Sequence, residues 1–97
     1  MYTILLVEDE EAVRHSIKDL TPWQEYGFSV MGEASNGMEA LEIISETMPD
    51  VIITDIRMPY MDGIQFIQEV REKYSQTVEV IFLSGYDEFT FAQTALS

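Results

Sequence analysis

An α/β fold, an open parallel sheet with helices on both faces, is what the sequence predicts, on two observations. Short hydrophobic runs alternate with stretches of helical periodicity four times along the chain, the pattern of repeated strand–helix units. Several of those runs are almost continuously apolar, as strands buried on both faces must be, rather than alternating apolar with polar.

The first run, Tyr2 to Val7, is hydrophobic throughout except for Thr3 and ends in three acids, Glu8, Asp9 and Glu10. A helix is predicted over 10–20, with Val13, Ile17 and Leu20 on one stripe and Glu11, Arg14 and Lys18 elsewhere. Trp23 is expected to close the connection to the next strand, Phe28 to Ala34, whose character alternates. Asn36-Gly37 opens a second helix over 38–47, with Leu41, Ile44 and Met48 facing one way, and Pro49-Asp50 stops it.

Val51-Ile52-Ile53-Thr54-Asp55 is the strongest strand, β-branched and bounded by Pro49 and Pro59. Asp62 is placed to cap a third helix, with Ile64, Ile67, Val70 and Tyr74 inward. A fourth strand is predicted over 78–83, followed by a turn at Ser84-Gly85 and a last helix capped by Asp87, with Phe89, Ala92 and Leu96 on its apolar side.

The length of 97 residues fits a single domain. Asp and Glu number 18 against 5 Lys and Arg, a formal net charge of −13, yet 46% of residues are hydrophobic, enough for a globular core. That charge opposes direct binding of nucleic acid or an anionic membrane, and it makes cations and basic partner surfaces the natural counterparts. No apolar run approaches the length of a membrane span, and the start resembles no export signal. The absence of cysteine excludes disulfides and thiolate metal sites; a reducing cytoplasm is the expected location.

In open parallel sheets, ligands bind beyond the carboxyl ends of the strands, where the strand order reverses. The first strand ends in Glu8-Asp9-Glu10, the third in Asp55 and the fourth in Ser84. If the first and third strands are neighbours, Glu8 or Asp9 converges with Asp55. Carboxylates in one place repel one another and raise one another's pKa unless a cation intervenes. An oxygen-only donor set favours Mg²⁺ or Mn²⁺ over Zn²⁺. Glu10 and Glu11 are expected only to favour the start of the first helix through its dipole. Asp55 follows apolar residues and precedes Ile56, an unsuitable place for a merely solvated acid. His15, off the apolar stripe, is expected to be a solvated helix residue. Pro59 and Gly63 are expected to shape the loop after Asp55, and Met58 and Met61 to give it adaptable apolar surface.

Three stretches, Leu6-Val7-Glu8-Asp9-Glu10, Thr54-Asp55-Ile56-Arg57-Met58-Pro59 with Met61-Asp62-Gly63, and Leu83-Ser84-Gly85-Tyr86, resemble the receiver domain of bacterial two-component response regulators in order and spacing. Residues 21–28 and 84–89 further resemble receivers joined to AraC-type helix-turn-helix effectors. The resemblance implies a flavodoxin-like sheet of order 2-1-3-4-5, of which this chain holds the 2-1-3-4 part. It implies that Asp55 is the phosphoacceptor, forming an acyl phosphate. By the same likeness Glu8, Asp9, Asp55 and the backbone carbonyl of Arg57 hold Mg²⁺, Mn²⁺ being an alternative, and Ser84 is the hydroxyl that follows the phosphoryl group. Glu8 departs from the commoner Asp. Tyr86 is expected to be a surface residue, because the family's switch aromatic stands further along.

The implied partners are a sensor histidine kinase and a C-terminal, DNA-binding effector outside this chain. The resemblance also implies a fifth β-α unit, with its active-site Lys, beyond Ser97, so residues 1–97 are expected to be one receiver domain incomplete at its C-terminus. Self-association through an exposed fourth strand and the face beside the first helix is then expected. The competing function is a phosphorylation-independent interaction module on the same fold. A Mg²⁺-dependent phosphohydrolase is disfavoured, since Arg57 stands where a second catalytic Asp would be needed.

Overall fold

The structure, a computed structural model, describes residues 1–83. Four parallel strands, β1 (Tyr2–Val7), β2 (Phe28–Ala34), β3 (Val51–Asp55) and β4 (Glu79–Leu83), form one sheet in the order β2-β1-β3-β4. The connections are helices α1 (Glu11–Leu20), α2 (Gly37–Glu46) and α3 (Gly63–Lys73), with a 3₁₀ turn at Trp23–Tyr26 before β2. This is the expected 2-1-3-4 arrangement. The predicted last helix, with Asp87, Phe89, Ala92 and Leu96, lies outside the described residues.

Alternation along the central strands divides the interior in two. Leu5, Val7 and Ile52 point to the side covered by α2 and α3, where they meet Ala40, Ile44, Phe66, Ile67 and Val70 in the larger core. Ile4, Leu6 and Ile53 point the other way and pack with Ile17, Trp23, Phe28 and Val30. The strands remain paired to their carboxyl ends, Val7 opposite Ala34 and Thr54, and Asp55 opposite Leu83. Where β1 and β2 shift register, between Ile4 and Leu5, β2 spends Met31 as an extra residue.

Helix α1 departs from expectation. Of its predicted stripe only Ile17 packs on the smaller core; Val13 is 40% and Leu20 81% exposed, and the helix buries no residue. Among the described residues its attachment is largely polar: Arg14 and Lys18 both reach Glu33 on β2, at 3.2 and 2.9 Å. Glu10 is the N-cap but makes no capping hydrogen bond through its side chain. Trp23 does close the α1–β2 connection, its indole N–H donating to the Ile17 carbonyl at 3.2 Å. The connection ends at Gly27, whose φ of 85° is the left-handed conformation glycine adopts without strain.

Helices α2 and α3 begin as their sequences require. The Asn36 side chain accepts from the Glu39 N–H at 2.9 Å. At α3, Asp62 and Gln65 form a reciprocal capping box, with bonds of 2.8 and 3.1 Å. Asp62→Ala is expected to cost about 1 kcal/mol, seen as a lower urea midpoint with an unchanged slope. Tyr74, predicted inward, instead forms the C-cap and is 46% exposed, while Phe66, not anticipated as core, is fully buried.

Candidate functional site

The chain runs from β1 outward to β2 on one flank, then returns to β3 on the other, so the strand order reverses at β1. The crevice outside the carboxyl ends of β1 and β3 is therefore the place where this architecture binds ligands. Because Val7 stands opposite Thr54, the residues that follow each strand meet there. One carboxylate oxygen from each of Glu8, Asp9 and Asp55 lies within 4.8 Å of the other two. The structure thus brings together the three acids predicted from strand ends in distant parts of the chain.

Their environments differ. Asp9 is exposed, Asp55 is half-buried and Glu8 is only 3% exposed. Burial is the main cause that pushes the Glu8 carboxyl up from its ordinary value of 4.5 to about 7, and the neighbouring Asp55 and Asp9 carboxyls push the same way. The Glu10 N–H, donating to Glu8 Oε1 at 3.1 Å, opposes the rise without cancelling it. A buried acid beside two others is an arrangement that a cation would relieve.

Backbone geometry holds Asp55 in place. Its Oδ1 accepts from the Ile56 N–H at 2.8 Å, and its carbonyl accepts from the Thr54 hydroxyl at 2.9 Å. The loop into α3 turns through Tyr60, which takes a positive φ of 69°. It ends at Gly63, whose N–H donates to the Ile56 carbonyl at 2.8 Å. A Cβ at Gly63 would overlap the Asp55 carbonyl oxygen, so only glycine permits this approach.

Arg57 stands two residues past Asp55 on the same loop, with its side chain exposed. Ser84 lies outside the described residues, directly after Leu83, which is in register with Asp55. His15 is half-exposed on α1, 3.9 Å from carboxylate oxygens of Glu11 and Glu33, as expected of a solvated residue. One contact at the site had not been anticipated: Arg14 on α1 donates from Nη1 to the Glu8 carbonyl at 2.8 Å. Its only trace in the sequence is a cation one turn into the helix that follows the acids.

A parallel sheet with three carboxylates at its reversal point describes an α/β domain with an acidic site at the strand ends, and comparison with known proteins narrows the class. The sequence matches the response regulator receiver domain family over residues 4–97, and the chain belongs to that family. It is 41% identical over 96 residues to the transcriptional regulatory protein YesN of Bacillus subtilis, covering 99% of this chain and 26% of YesN. Among solved structures it resembles the REC domain of AraT, a response regulator from Geobacillus stearothermophilus. The TM-score there is 0.86 and the identity 37%, over 98% of this chain and 73% of that one. A two-component transcriptional regulator AraC from Clostridium phytofermentans superposes with a TM-score of 0.89 at 33% identity, with the same coverage of both chains. The chain spans between 26% and 37% of the length of the first curated relatives it matches.

Receiver domains as a family are phosphoacceptor switches of two-component signalling and generally not enzymes in their own right. Among the described residues, no helix is long and apolar enough to cross a membrane.

Proposed function

We propose that this receiver accepts a phosphoryl group on Asp55 from the phosphohistidine of a sensor kinase. The histidine N–P bond breaks as an Asp55 O–P bond forms. The convergence of Glu8, Asp9 and Asp55 within 4.8 Å is the observation that carries this reading. The donor set fits a hard divalent cation, being all oxygen and including one buried acid. Glu8, Asp9 and Asp55, with the Arg57 carbonyl, would hold Mg²⁺, or Mn²⁺ in its place. When bound, the ion offsets the repulsion between the carboxylates and an incoming phosphoryl group and stabilises the charge spread over its oxygens during transfer.

The protein's own contribution is positional. Asp55 is the nucleophile, oriented by the Ile56 N–H on Oδ1 and by the packing of Gly63 against its carbonyl. Glu8 must lose its proton to serve as a ligand. We assign Ser84 as the hydroxyl that hydrogen-bonds the phosphoryl group, on the family likeness and its position after β4. Its modification is self-directed: phosphotransfer and slow autodephosphorylation are the activities we assign. The output is control of an attached DNA-binding effector in a cytoplasmic regulator, a reading supported by relatives named as transcriptional regulators.

Incubation with a small acyl-phosphate donor, followed by intact-mass measurement, tests the assignment. A gain of one phosphate that requires Mg²⁺ and is lost in Asp55→Ala is expected. Labelling that persists in Asp55→Ala, or that ignores Mg²⁺, would show that another residue or chemistry is at work. Should even a chain extended by a further β-α unit fail to label, the switch assignment is wrong.

A further inference from the structure

We propose that Arg14 is a positioning residue for the carboxylate cluster: anchored on Glu33 of β2, its guanidinium holds the Glu8 carbonyl and thereby fixes the segment carrying Glu8 and Asp9. The inference rests on the assignment of those two acids as cation ligands. Arg14 Nη1 donates to the Glu8 carbonyl at 2.8 Å, and Nε donates to Glu33 Oε1 at 3.2 Å. A planar guanidinium with two such bonds has its orientation set, and this one is only 14% exposed. Glu33 is itself braced by Lys18 Nζ at 2.9 Å, and the two cations, Lys18 foremost, hold its carboxyl below the usual range.

Strand β2 therefore grips the Glu8 peptide at both ends. The Glu8 N–H donates directly to the Ala34 carbonyl at 3.0 Å, and the Glu8 carbonyl is reached from Glu33 through Arg14. Beyond Glu8 the chain leaves the sheet, and α1 buries no side chain that would fix its first turn by packing. Among the described residues the polar tether supplies what packing does not. Without it, the Glu8–Asp9 segment keeps the Glu8 N–H bond to β2 and the local bond from the Glu10 N–H to Glu8 Oε1 but loses the anchor on its carbonyl. It can pivot there, which moves the Glu8 and Asp9 carboxylates relative to Asp55.

Calorimetric titration of Mg²⁺ into the parent chain, Arg14→Met, Arg14→Lys and Glu33→Gln, well below each melting midpoint and at one pH, tests this. Melting without metal is measured separately. Arg14→Met is expected to weaken Mg²⁺ binding roughly tenfold, the scale on which residues behind metal ligands act. Arg14→Lys and Glu33→Gln, which keep part of the tether and are mild for folding, should lose less. If the parent binds Mg²⁺ and all three variants bind with its affinity, Arg14 is a structural residue only, whatever the melting midpoints do. If the parent itself does not bind Mg²⁺, the ligand assignment fails and this inference with it.

Discussion

Alanine at Gly63 is expected to destabilise the chain by about 3 kcal/mol, the upper range for forcing a methyl into packed space. For a domain of this size that lowers the melting midpoint by roughly 15 °C. The obstacle is the Asp55 carbonyl with its own carbon and the Ile56 Cα behind it, all backbone, so no side chain can swing aside. Relief requires the start of α3 to move away from the end of β3, breaking the bond from the Gly63 N–H to the Ile56 carbonyl. Because the strained contact is with the Asp55 backbone itself, phosphate labelling at a temperature where the variant is still folded should fall too. Gly27→Ala is the useful comparison: it is strained by a φ of 85° but has open space around the added methyl. Its cost should be smaller, about 1 kcal/mol, and should leave labelling untouched. A Gly63→Ala midpoint within a few degrees of the parent would mean that the β3–α3 junction is slack.

How much of this was legible in the sequence follows from which forces the pattern records. Buried strands announce themselves because both faces must be apolar, so Tyr2–Val7 and Val51–Asp55 were placed to the residue. The three acids were legible for a related reason: an ionisable group directly after such a run sits at the sheet edge, and parallel connectivity brings such edges to one side. Local capping was legible at Asp62, where residue type and position suffice.

The α1 face was misread because helical periodicity reports which residues can face inward, not whether anything meets them. Val13 stays 40% and Leu20 81% exposed, while among the described residues Arg14 and Lys18 make the polar attachment. Phe66 lies beside the stripe of Ile64 and Ile67 that the spacing predicts, and the broad apolar face of α3 buries all three. The tether from Arg14 to Glu8 and Glu33 joins residues on three different elements, and no spacing rule encodes such a meeting. The need for glycine at position 63 likewise depends on how closely α3 approaches β3.

Raising the pH from 5 to 7.5 without divalent cations is expected to lower the stability of the chain by on the order of 2 kcal/mol, and Glu8→Gln is expected to abolish that decline. In the unfolded chain Glu8 releases its proton near its ordinary value of 4.5; in the folded chain it keeps it until about 7. Between those values the folded state binds more protons than the unfolded state, so stability falls as pH rises, and it levels off once both forms are ionised. Glu33 and Glu39 are shifted the opposite way, held down chiefly by Lys18 and by the Ser35 N–H respectively. Their contribution is lost only as pH falls below the ordinary carboxylate value, outside this window. Saturating Mg²⁺ should cancel the decline, since the ion needs the ionised Glu8, its affinity grows as pH rises toward 7, and the bound folded state then carries no extra proton relative to the unfolded chain. Melting midpoints between pH 5 and 8 check both, falling without metal and level with saturating Mg²⁺. A parent midpoint that stays level across the window without metal, or a Glu8→Gln variant that keeps the parent's slope, would show that the buried acid at the end of β1 does not hold its proton. In that case its carboxylate is available to a cation at every physiological pH, and affinity for Mg²⁺ would not depend on pH.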